Sequence, residues 1–454
     1  MEHRDVLIIG GGPAGRVIVH ALHQADADLR VALIKDEVEN VNRCAVPYGI
    51  SRAKPLDQYM IPNALVTDYG AELIFDRVER IEPEDARVVM GDGRAVSYGN
   101  LILATGARPI IPPIPGIDAM NIVPVRSGTD LERLRELAEA SRRAVVVGGG
   151  YIGVEVAVVL RTLGLEVSMV EMLPHIMHMT TEPEFISALE EDVTSHGVHL
   201  VTGAKVVAFA RDGARATAVR LEDGRELSAD FVVLAIGVTP NTELAAEAGL
   251  ATTRLGIVTD DHLRTSVPNI YAAGDCAEKR SFVSGLPTRG EFGTNAVFMA
   301  KVVARNLLGE DVTFPGVINA SATTTFNYAV GAAGLTEQAA RDAQQFEVVT
   351  GLGEVLDKYP MMEHASAIRS KLVFDATSRR LLGGSVLRRG HGAAANIDFI
   401  SFAIQMRATA EDIVHLQYAT HPELAAKPSD NLYVFAARQA LQKMKLRNRA
   451  VAMV

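Results

Sequence analysis

The chain has 454 residues, enough for about three domains of roughly 150 residues. Charged residues make up 22% of the chain, and 45 basic against 55 acidic side chains leave a net charge of −10, which disfavours nucleic-acid binding. The chain has two cysteines, Cys44 and Cys276, so a disulfide framework is excluded and a cytoplasmic location is expected. Glycines and Glu155 interrupt the longest weakly charged stretch, residues 144–160, so no membrane span is predicted.

The N-terminal segment has the pattern of a dinucleotide-binding unit. A strand is predicted over Asp5–Ile9, a helix over Ala14–Gln24 and a second strand over Leu29–Lys35. The turn before the helix follows the GxGxxG fingerprint and contains Gly10, Gly12, Pro13, Ala14 and Gly15. Such glycines permit a tight turn and let a pyrophosphate meet the helix N-terminus.

The same pattern returns later in the chain. A strand over Ala144–Val147, a helix over Ile152–Leu163 and a strand over Glu166–Glu171 are predicted. The fingerprint residues of this second turn are Gly148, Gly150, Tyr151, Ile152 and Gly153. Pro-rich residues 109–115 and residues 238–241 are predicted to be the two crossings. The second dinucleotide-binding domain is therefore expected to be inserted into the first.

An acidic residue at the end of the second strand of such a unit distinguishes the two sites. Glu171 can accept hydrogen bonds from a ribose 2′-hydroxyl and would repel a 2′-phosphate, so NADH is favoured over NADPH at the second site. In the first unit Lys35 holds this place, and the next residue, Asp36, is the predicted substitute. For both acids, the alternative interpretation is a solvated charge at a strand end.

From about Ala322 the sequence changes to a third, α+β pattern. Strands are predicted over residues 323–330, 346–350, 370–374 and 381–387, and helices over residues 336–343 and 394–406. This region has no glycine fingerprint, so we expect it to serve assembly or to complete a site.

Several motifs give the chain a family resemblance. The segment Thr265–Asp275 resembles the second FAD-contact motif of the pyridine nucleotide-disulfide oxidoreductases. Two further segments are similar to the domain-crossing motifs of that family, namely Ala104-Thr105-Gly106 and Gly237–Asn241.

The resemblance implies an α/β fold with two Rossmann-like domains, one inserted in the other, and a C-terminal α+β dimerisation domain. The implied ranges are 1–115 and 245–320 for FAD, 116–244 for NAD(H), and 321–454 for assembly into a homodimer. It also implies that Gly274 and Asp275 contact FAD, with Asp275 at the ribityl chain, and that Glu155 lies near the nicotinamide and flavin rings.

The segment Asn42–Tyr48 determines the subgroup. It resembles the single-cysteine motif of coenzyme A disulfide reductases, persulfide reductases and NADH oxidases or peroxidases, which makes Cys44 the candidate catalytic residue and Asn42 and Arg43 candidate cofactor contacts. A thiol that enters a helix with Pro47 in its first turn, beside Arg43, is expected to favour the thiolate. The alternative is a structural cysteine. Cys276 is predicted to be packed.

Three residues of the third domain are candidates for completing the site. Tyr359 and Tyr418 fall where coenzyme A disulfide reductases place tyrosines that enter the partner's site, although both could be core residues. His421-Pro422 resembles the acid/base histidine motif of glutathione-reductase-like enzymes, but Ala426 replaces its orienting glutamate. The arginines by which coenzyme A users meet phosphates are missing, and the first helix has His20 and His23 instead.

The sequence therefore predicts a FAD-dependent NADH oxidoreductase that reduces a low-molecular-weight disulfide or persulfide through Cys44. Two alternatives remain. One is an NADH oxidase or peroxidase that uses a cysteine sulfenic acid, and the other is an NADH-responsive redox partner or sensor protein.

Overall fold

The computed structural model describes residues 2–25 and 28–451. The first part forms a seven-stranded sheet in the order β5-β2-β1-β8-β7-β6, with a later strand added beside β8. The elements are β1 Glu2–Ile9, α1 Pro13–Gln24, β2 Val31–Lys35, β3 Asn40–Val41, α2 Val46–Gly49, β4 Met60–Ile61, α3 Ala64–Thr67, β5 Glu72–Phe75, β6 Val78–Glu82, β7 Arg87–Met90, β8 Ala95–Leu103 and β9 Ala107–Pro109.

The second part forms a parallel five-stranded sheet in the order β10-β17-β11-β12-β13, with a three-stranded antiparallel sheet, β14-β15-β16, beside it. Its elements are β10 Ile122–Pro124, α4 Gly128–Ala140, β11 Arg143–Val147, α5 Tyr151–Thr162, β12 Glu166–Val170, α6 Pro183–Ser195, β13 Val198–Val201, β14 Val206–Asp212, β15 Arg215–Leu221, β16 Glu226–Ser228, β17 Phe231–Leu234 and β18 Val238–Pro240.

The chain then returns to the first sheet, where β21 pairs with β8. The elements of this return segment are α7 Glu243–Glu247, β19 Thr252–Thr253, β20 Gly256–Ile257, β21 Ile270–Ala272, β22 Lys279–Arg280, β23 Pro287–Thr288 and α8 Gly293–Leu307. The two crossing segments lie side by side, because β9 pairs with β18 in antiparallel register. The predicted insertion of one dinucleotide-binding unit into another is therefore the observed topology.

The last part is an antiparallel five-stranded sheet, β24-β25-β28-β27-β26, covered by helices. Its elements are β24 Ser321–Thr324, β25 Tyr328–Gly334, α9 Glu337–Asp342, β26 Val348–Leu356, β27 Ala367–Asp375, β28 Leu381–Arg389, α10 Ala393–Gln405, α11 Ala410–Val414 and α12 Leu432–Val451. The α/β fold class with a C-terminal α+β part is confirmed.

Two predicted strands of this part were wrong in extent. Residues 323–330 form a hairpin and not one strand, because the chain turns at residues 325–327, where the Thr325 amide donates to the Tyr328 carbonyl at 2.8 Å. The strand predicted to end at Thr350 runs on to Leu356. Among the described residues, no helix is long and apolar enough to cross a membrane.

Candidate active site

The glycines of the first turn differ in what a side chain at each position would contact. Gly10 has a φ of +117°, and a Cβ there would stand 2.1 Å from the Ala104 carbonyl oxygen. A Cβ at Gly15 would stand 2.1 Å from the Gly10 oxygen, so α1 can approach β1 only with glycine. A Cβ at Gly12 would meet no atom within 4 Å. The α1 N-terminus is thus open at Gly12, where Pro13 and Ala14 begin the helix, and this geometry fits a pyrophosphate.

The second turn repeats this geometry. Gly148 has a φ of +109°, a Cβ at Gly153 would stand 1.9 Å from the Gly148 oxygen, and a Cβ at Gly150 would again meet nothing within 4 Å. Glu171 accepts hydrogen bonds from the amides of Gly149 at 2.6 Å and Leu173 at 2.7 Å. Its carboxylate is therefore fixed beside the turn, where it fits a ribose hydroxyl.

In the first unit an ammonium stands at this strand-end position. Lys35 is buried, and its Nζ donates to the side-chain oxygens of Asn40 at 2.9 Å and Asn63 at 2.6 Å. Asp36, the predicted ribose-binding acid, is exposed at the next position. Asn40 in turn donates to Glu37 at 2.5 Å. The two units thus differ at the strand end, although their glycine turns are alike.

Hydrogen bonds and packing hold the segment around Cys44 in place, while the thiol itself is exposed. Cys44 lies in a short 3₁₀ turn before α2, and the Ala45 amide donates to the Asn42 carbonyl at 2.9 Å. Val46 is buried in a core that α2 shares with α4 and α5. The Arg135 Nε donates to the Gly49 carbonyl at 2.7 Å and so caps the carboxyl end of α2.

The predicted thiolate preference was wrong. Partial burial, the Glu155 carboxylate and the Asp275 carboxylate together raise the pKa of Cys44, and only Arg126 opposes them. The guanidinium of Arg43 instead faces Glu37 at 3.4 Å. Burial of the thiol is the largest of these effects, and together with the two carboxylates it opposes the thiolate that Arg43 and the helix end were expected to favour.

Sequence reasoning missed Arg126. Its guanidinium pairs with Asp275 at 3.1 Å, and its Nε is buried without a hydrogen-bond partner in the described part of the chain. A Cβ at Gly106 would stand 3.5 Å from Arg43 and 3.8 Å from Arg126, so both cations border the first crossing. An orphaned guanidinium N–H between Asp275 and this crossing fits an anionic cofactor such as FAD. No local motif marks Arg126, which lies just before the capping box of α4.

Residues predicted to lie in the two domain crossings are hydrogen-bonded to each other. Thr105 donates through Oγ1 to the Asn241 carbonyl at 2.9 Å, and Asn241 donates through Nδ2 to the Thr105 carbonyl at 2.8 Å. Gly106 and Gly237 have φ values of +70° and +100°, and Gly274, before Asp275, has +83°. Glycine at these places lets the chain turn between the domains.

At the junction of the three parts, two side chains of α5 meet the C-terminal sheet. The Tyr151 hydroxyl and the Ser321 hydroxyl are 2.9 Å apart, and Thr323 donates to Glu155 at 2.7 Å. The Tyr48 hydroxyl also bonds to Glu155. Burial raises the pKa of Glu155, while the hydrogen bonds from Thr323 and Tyr48 oppose that rise.

The structure brings the three C-terminal candidates together on neighbouring loops. The Tyr359 amide donates to the Pro422 carbonyl at 2.9 Å, next to His421. The Tyr418 hydroxyl donates to the Pro428 carbonyl at 2.8 Å, and the Glu423 amide donates to His421 Nδ1 at 3.2 Å. Within residues 2–25 and 28–451, none of these side chains bonds to the Cys44 segment. By contrast, Cys276 is buried, and its Sγ donates to the Leu103 carbonyl.

Two dinucleotide-type folds that meet at one exposed thiol define a nucleotide-dependent oxidoreductase. The family described as "Pyridine nucleotide-disulphide oxidoreductase" matches residues 4–300, and its dimerisation domain matches residues 320–431. The chain belongs to this family of FAD-dependent pyridine nucleotide oxidoreductases.

Relatives with different activities resemble the chain over most of its length. It is 29% identical to an NADH oxidase of Methanocaldococcus jannaschii, over 96% of this chain and 99% of that protein. It is 28% identical to a CoA-dependent NAD(P)H sulfur oxidoreductase of Pyrococcus furiosus, over 94% and 97%. A solved NAD-dependent persulfide reductase from A. fulgidus superposes with a TM-score of 0.91 at 29% identity, over 97% of this chain and 83% of that one.

Proposed function

We propose that the protein passes electrons from NADH through FAD to Cys44, which reduces a low-molecular-weight disulfide or persulfide. The observation that carries this proposal is the position of Cys44. Its thiol is exposed, and it is electrostatically coupled to Asp275 of the first unit and Glu155 of the second. The only thiol exposed in the described structure is thus coupled to a carboxylate of each nucleotide unit, and this supports its role as the electron acceptor.

Each cofactor has residues that fit it. Gly10, Gly12 and Gly15 would receive the FAD pyrophosphate, and Arg126 and Asp275 would hold the rest of that cofactor. When bound, FAD supplies a carrier that takes a hydride and returns an electron pair. At the second site, Gly150 leaves room for the NADH pyrophosphate, and Glu171 would accept hydrogen bonds from the ribose.

In the proposed chemistry, the Cys44 thiolate attacks one sulfur of the substrate and forms a mixed disulfide, and the second sulfur leaves as a thiolate that takes a proton. An electron pair then cleaves the mixed disulfide into the Cys44 thiolate and a second substrate thiolate, which takes a proton and leaves as the second thiol. The leaving thiolate's proton would come from Tyr359, Tyr418 or His421 of a second copy of the chain, within a cytoplasmic homodimer. The dimerisation-domain match supports this assignment.

A second candidate is an NADH oxidase or peroxidase, as in the relative from M. jannaschii. The resemblance to that NADH oxidase over nearly the whole of both chains supports it, whereas the raised pKa of Cys44 does not distinguish the two candidates, because both use the thiolate. In that case a peroxide would oxidise the thiol to a sulfenic acid, and two electrons and two protons would return it to the thiol and water.

An anaerobic titration of the flavin protein with NADH tests the role of Cys44. Two equivalents of NADH per flavin in the protein as isolated would show a second redox centre, and the thiol released would identify the bound substrate. One equivalent would favour an oxidase or a partner-directed electron donor.

A pair of cysteine variants then tests the acceptor step. Cys44→Ser is expected to leave the reduction of flavin by NADH intact and to abolish disulfide turnover. Cys276→Ser, which replaces the buried thiol, is the matched control and should retain turnover. Disulfide turnover that survives in Cys44→Ser would overturn the proposal, whereas stoichiometric oxygen uptake with no disulfide reduction would favour the oxidase.

A further inference from the structure

The contact between α5 and β24 has a regular polar geometry. Tyr151 and Glu155 are four residues apart on α5 and so lie on one face of the helix. Ser321 and Thr323 are two residues apart on β24 and so lie on one face of the strand. The two faces meet through hydrogen bonds of 2.9 Å between Tyr151 and Ser321 and 2.7 Å between Thr323 and Glu155.

This contact lies on the side of the second unit that faces the first. Helix α5 starts at the open Gly150 turn, and Glu155 lies one turn further along. From there its carboxylate contacts Tyr48 and is coupled to Cys44, both of which belong to the first unit. A dinucleotide whose pyrophosphate lies at Gly150 must direct its redox-active ring toward this junction for electrons to reach Cys44.

We propose that Thr323 and Ser321 are positioning residues through which the C-terminal domain sets the binding of the nicotinamide ring. Thr323 orients the Glu155 carboxylate toward the ring, and this carboxylate, when ionised, favours the positively charged oxidised nicotinamide over the neutral reduced one. Ser321 fixes Tyr151 and contributes to both nucleotide forms alike. The inference rests on the proposed function only in placing the nicotinamide nucleotide at the second site.

The hydroxyl of Thr323 lowers the pKa of Glu155. Burial raises the pKa of Glu155, and the Thr323 hydrogen bond lowers it because it stabilises the charged form. Valine has the shape of threonine without the hydroxyl, so Thr323→Val should raise the pKa of Glu155 further. The ionised form then appears only at higher pH.

The titrations of the other groups around Glu155 can be distinguished from the titration of Glu155. Tyr48 from the active-site segment and Tyr151 on the same helix both have raised pKa values, so they stay neutral between about pH 5 and about pH 8. The Cys44 thiol also faces Glu155, and beyond it lie Asp275 and Arg126, which form an ion pair. A Cys44→Ser background removes the thiol from the titration.

Calorimetric titration of the FAD-loaded Cys44→Ser protein with NAD⁺ at a series of pH values tests the inference. The NAD⁺ affinity should rise as Glu155 ionises, with a smaller change for NADH. Thr323→Val should move the midpoint of this rise to higher pH and weaken NAD⁺ binding several-fold just below it. Thr323→Ser should behave as the parent, and Glu155→Gln should give a flat profile on which Thr323→Val has no further effect. Ser321→Ala should weaken NAD⁺ and NADH equally without moving the midpoint.

Three results would overturn the inference: a flat profile in the parent protein, an unchanged midpoint in Thr323→Val, or a Thr323→Val effect that persists in Glu155→Gln. Flavin content and the melting temperature of each variant separate these results from misfolding, and Thr323→Ser tests the contact without removing the hydroxyl. The binding titration involves no disulfide. Failure to reduce a disulfide would therefore contradict the proposed acceptor and leave this test unaffected.

Discussion

Glu171 is the residue that we propose selects the nucleotide. The amides of Gly149 and Leu173 hold it beside the second turn, so an incoming ribose meets a fixed acceptor. We expect Glu171→Ala to weaken NADH binding about tenfold, because a hydrogen bond to a charged group contributes about 1.5 kcal/mol. NADPH binding should weaken less or improve, since the repulsion of its 2′-phosphate is removed. Dissociation constants for both nucleotides check this, with the exposed Glu166→Ala on the same strand as control. An equal loss for both would show that Glu171 does not contact the ribose.

Substitutions at Gly12 and Gly15 distinguish the effect of a glycine on cofactor binding from its effect on packing. Gly12 has a φ of −71°, which alanine adopts freely, and a Cβ there meets no protein atom within 4 Å. Gly12→Ala should therefore fold with its free energy of unfolding changed by less than about 0.5 kcal/mol and yet lose FAD, because its methyl group stands where the pyrophosphate approaches. Gly15→Ala should instead destabilise the fold by about 2 kcal/mol or more, since its Cβ would stand 2.1 Å from the Gly10 oxygen. Flavin content and urea unfolding of the apoproteins measure the two effects. A Gly12→Ala protein with full flavin would place the pyrophosphate elsewhere.

At this scale, the sequence was sufficient for residues that belong to a local pattern. The glycines of both turns and Glu171 follow from spacing alone, since strand, turn and helix are contiguous. Arg126, Tyr48 and Thr323 could not be found, because their partners are distant in sequence and only the fold brings them together. The error in the pKa of Cys44 has the same origin, because both the burial of the thiol and its proximity to Glu155 and Asp275 depend on distant segments of the chain.

Helix α6 and the β24–β25 turn are joined by a buried carboxylate. Asp192 of α6 is 4% exposed, and it accepts hydrogen bonds from Thr325 Oγ1 at 2.5 Å and from the Asn327 amide at 2.9 Å. Burial raises the pKa of Asp192, but the hydrogen bonds from Asn327 and Thr325 outweigh it, so the pKa lies below its usual value. The contact is therefore fully stabilising above about pH 4 and is lost as the pH falls through the lowered pKa.

Asp192→Asn should reduce the free energy of unfolding by about 2 kcal/mol at neutral pH and flatten its decrease below about pH 4. Urea unfolding at both pH values checks this, with the exposed neighbour Glu191→Gln as control. If Asp192→Asn loses stability on acidification as steeply as the parent, another carboxylate is responsible.

Element prediction worked where the hydrophobic period was undisturbed and failed where tertiary contact decided. Both βαβ units were found, because their strands are continuous apolar runs between glycine turns. The prediction ended strand β26 before its glycines, whereas the strand continues through them. A Cβ at Gly351 would stand 1.8 Å from the Ala436 oxygen, and one at Gly353 would stand 2.1 Å from the Leu432 oxygen. These glycines do not end the strand. They let α12 pack directly on it, and no local pattern predicts that approach.

Across the whole molecule, the C-terminal part is bound to the second nucleotide unit by buried polar contacts. Lys371 of β27 is buried, and its Nζ lies 3.0 Å from Glu182 and 2.8 Å from Glu184, both at the start of α6. It also lies 2.7 Å from Glu337 of α9. Together with the Asp192 contact, this cluster holds the C-terminal sheet against α6. The domain content could be predicted from sequence, but these contacts could not, because their partners are distant in sequence.

A dimer in which each active site uses residues of both subunits can be tested by mixing two inactive variants. If Cys44 works with Tyr359, Tyr418 and His421 of the other subunit, Cys44→Ser and a chain altered at those three residues should each be inactive toward a disulfide. A mixture refolded at equal amounts would contain half mixed dimers, each with one intact site, so about a quarter of the parent activity should return. The exposed loops of Tyr359 and His421, with Met361 72% and Leu424 80% exposed, are available for such a contact. Turnover measured after mixing checks this, with each variant refolded alone as the control. If no activity returns although mass spectrometry of the intact dimers shows mixed dimers, the site lies within one chain.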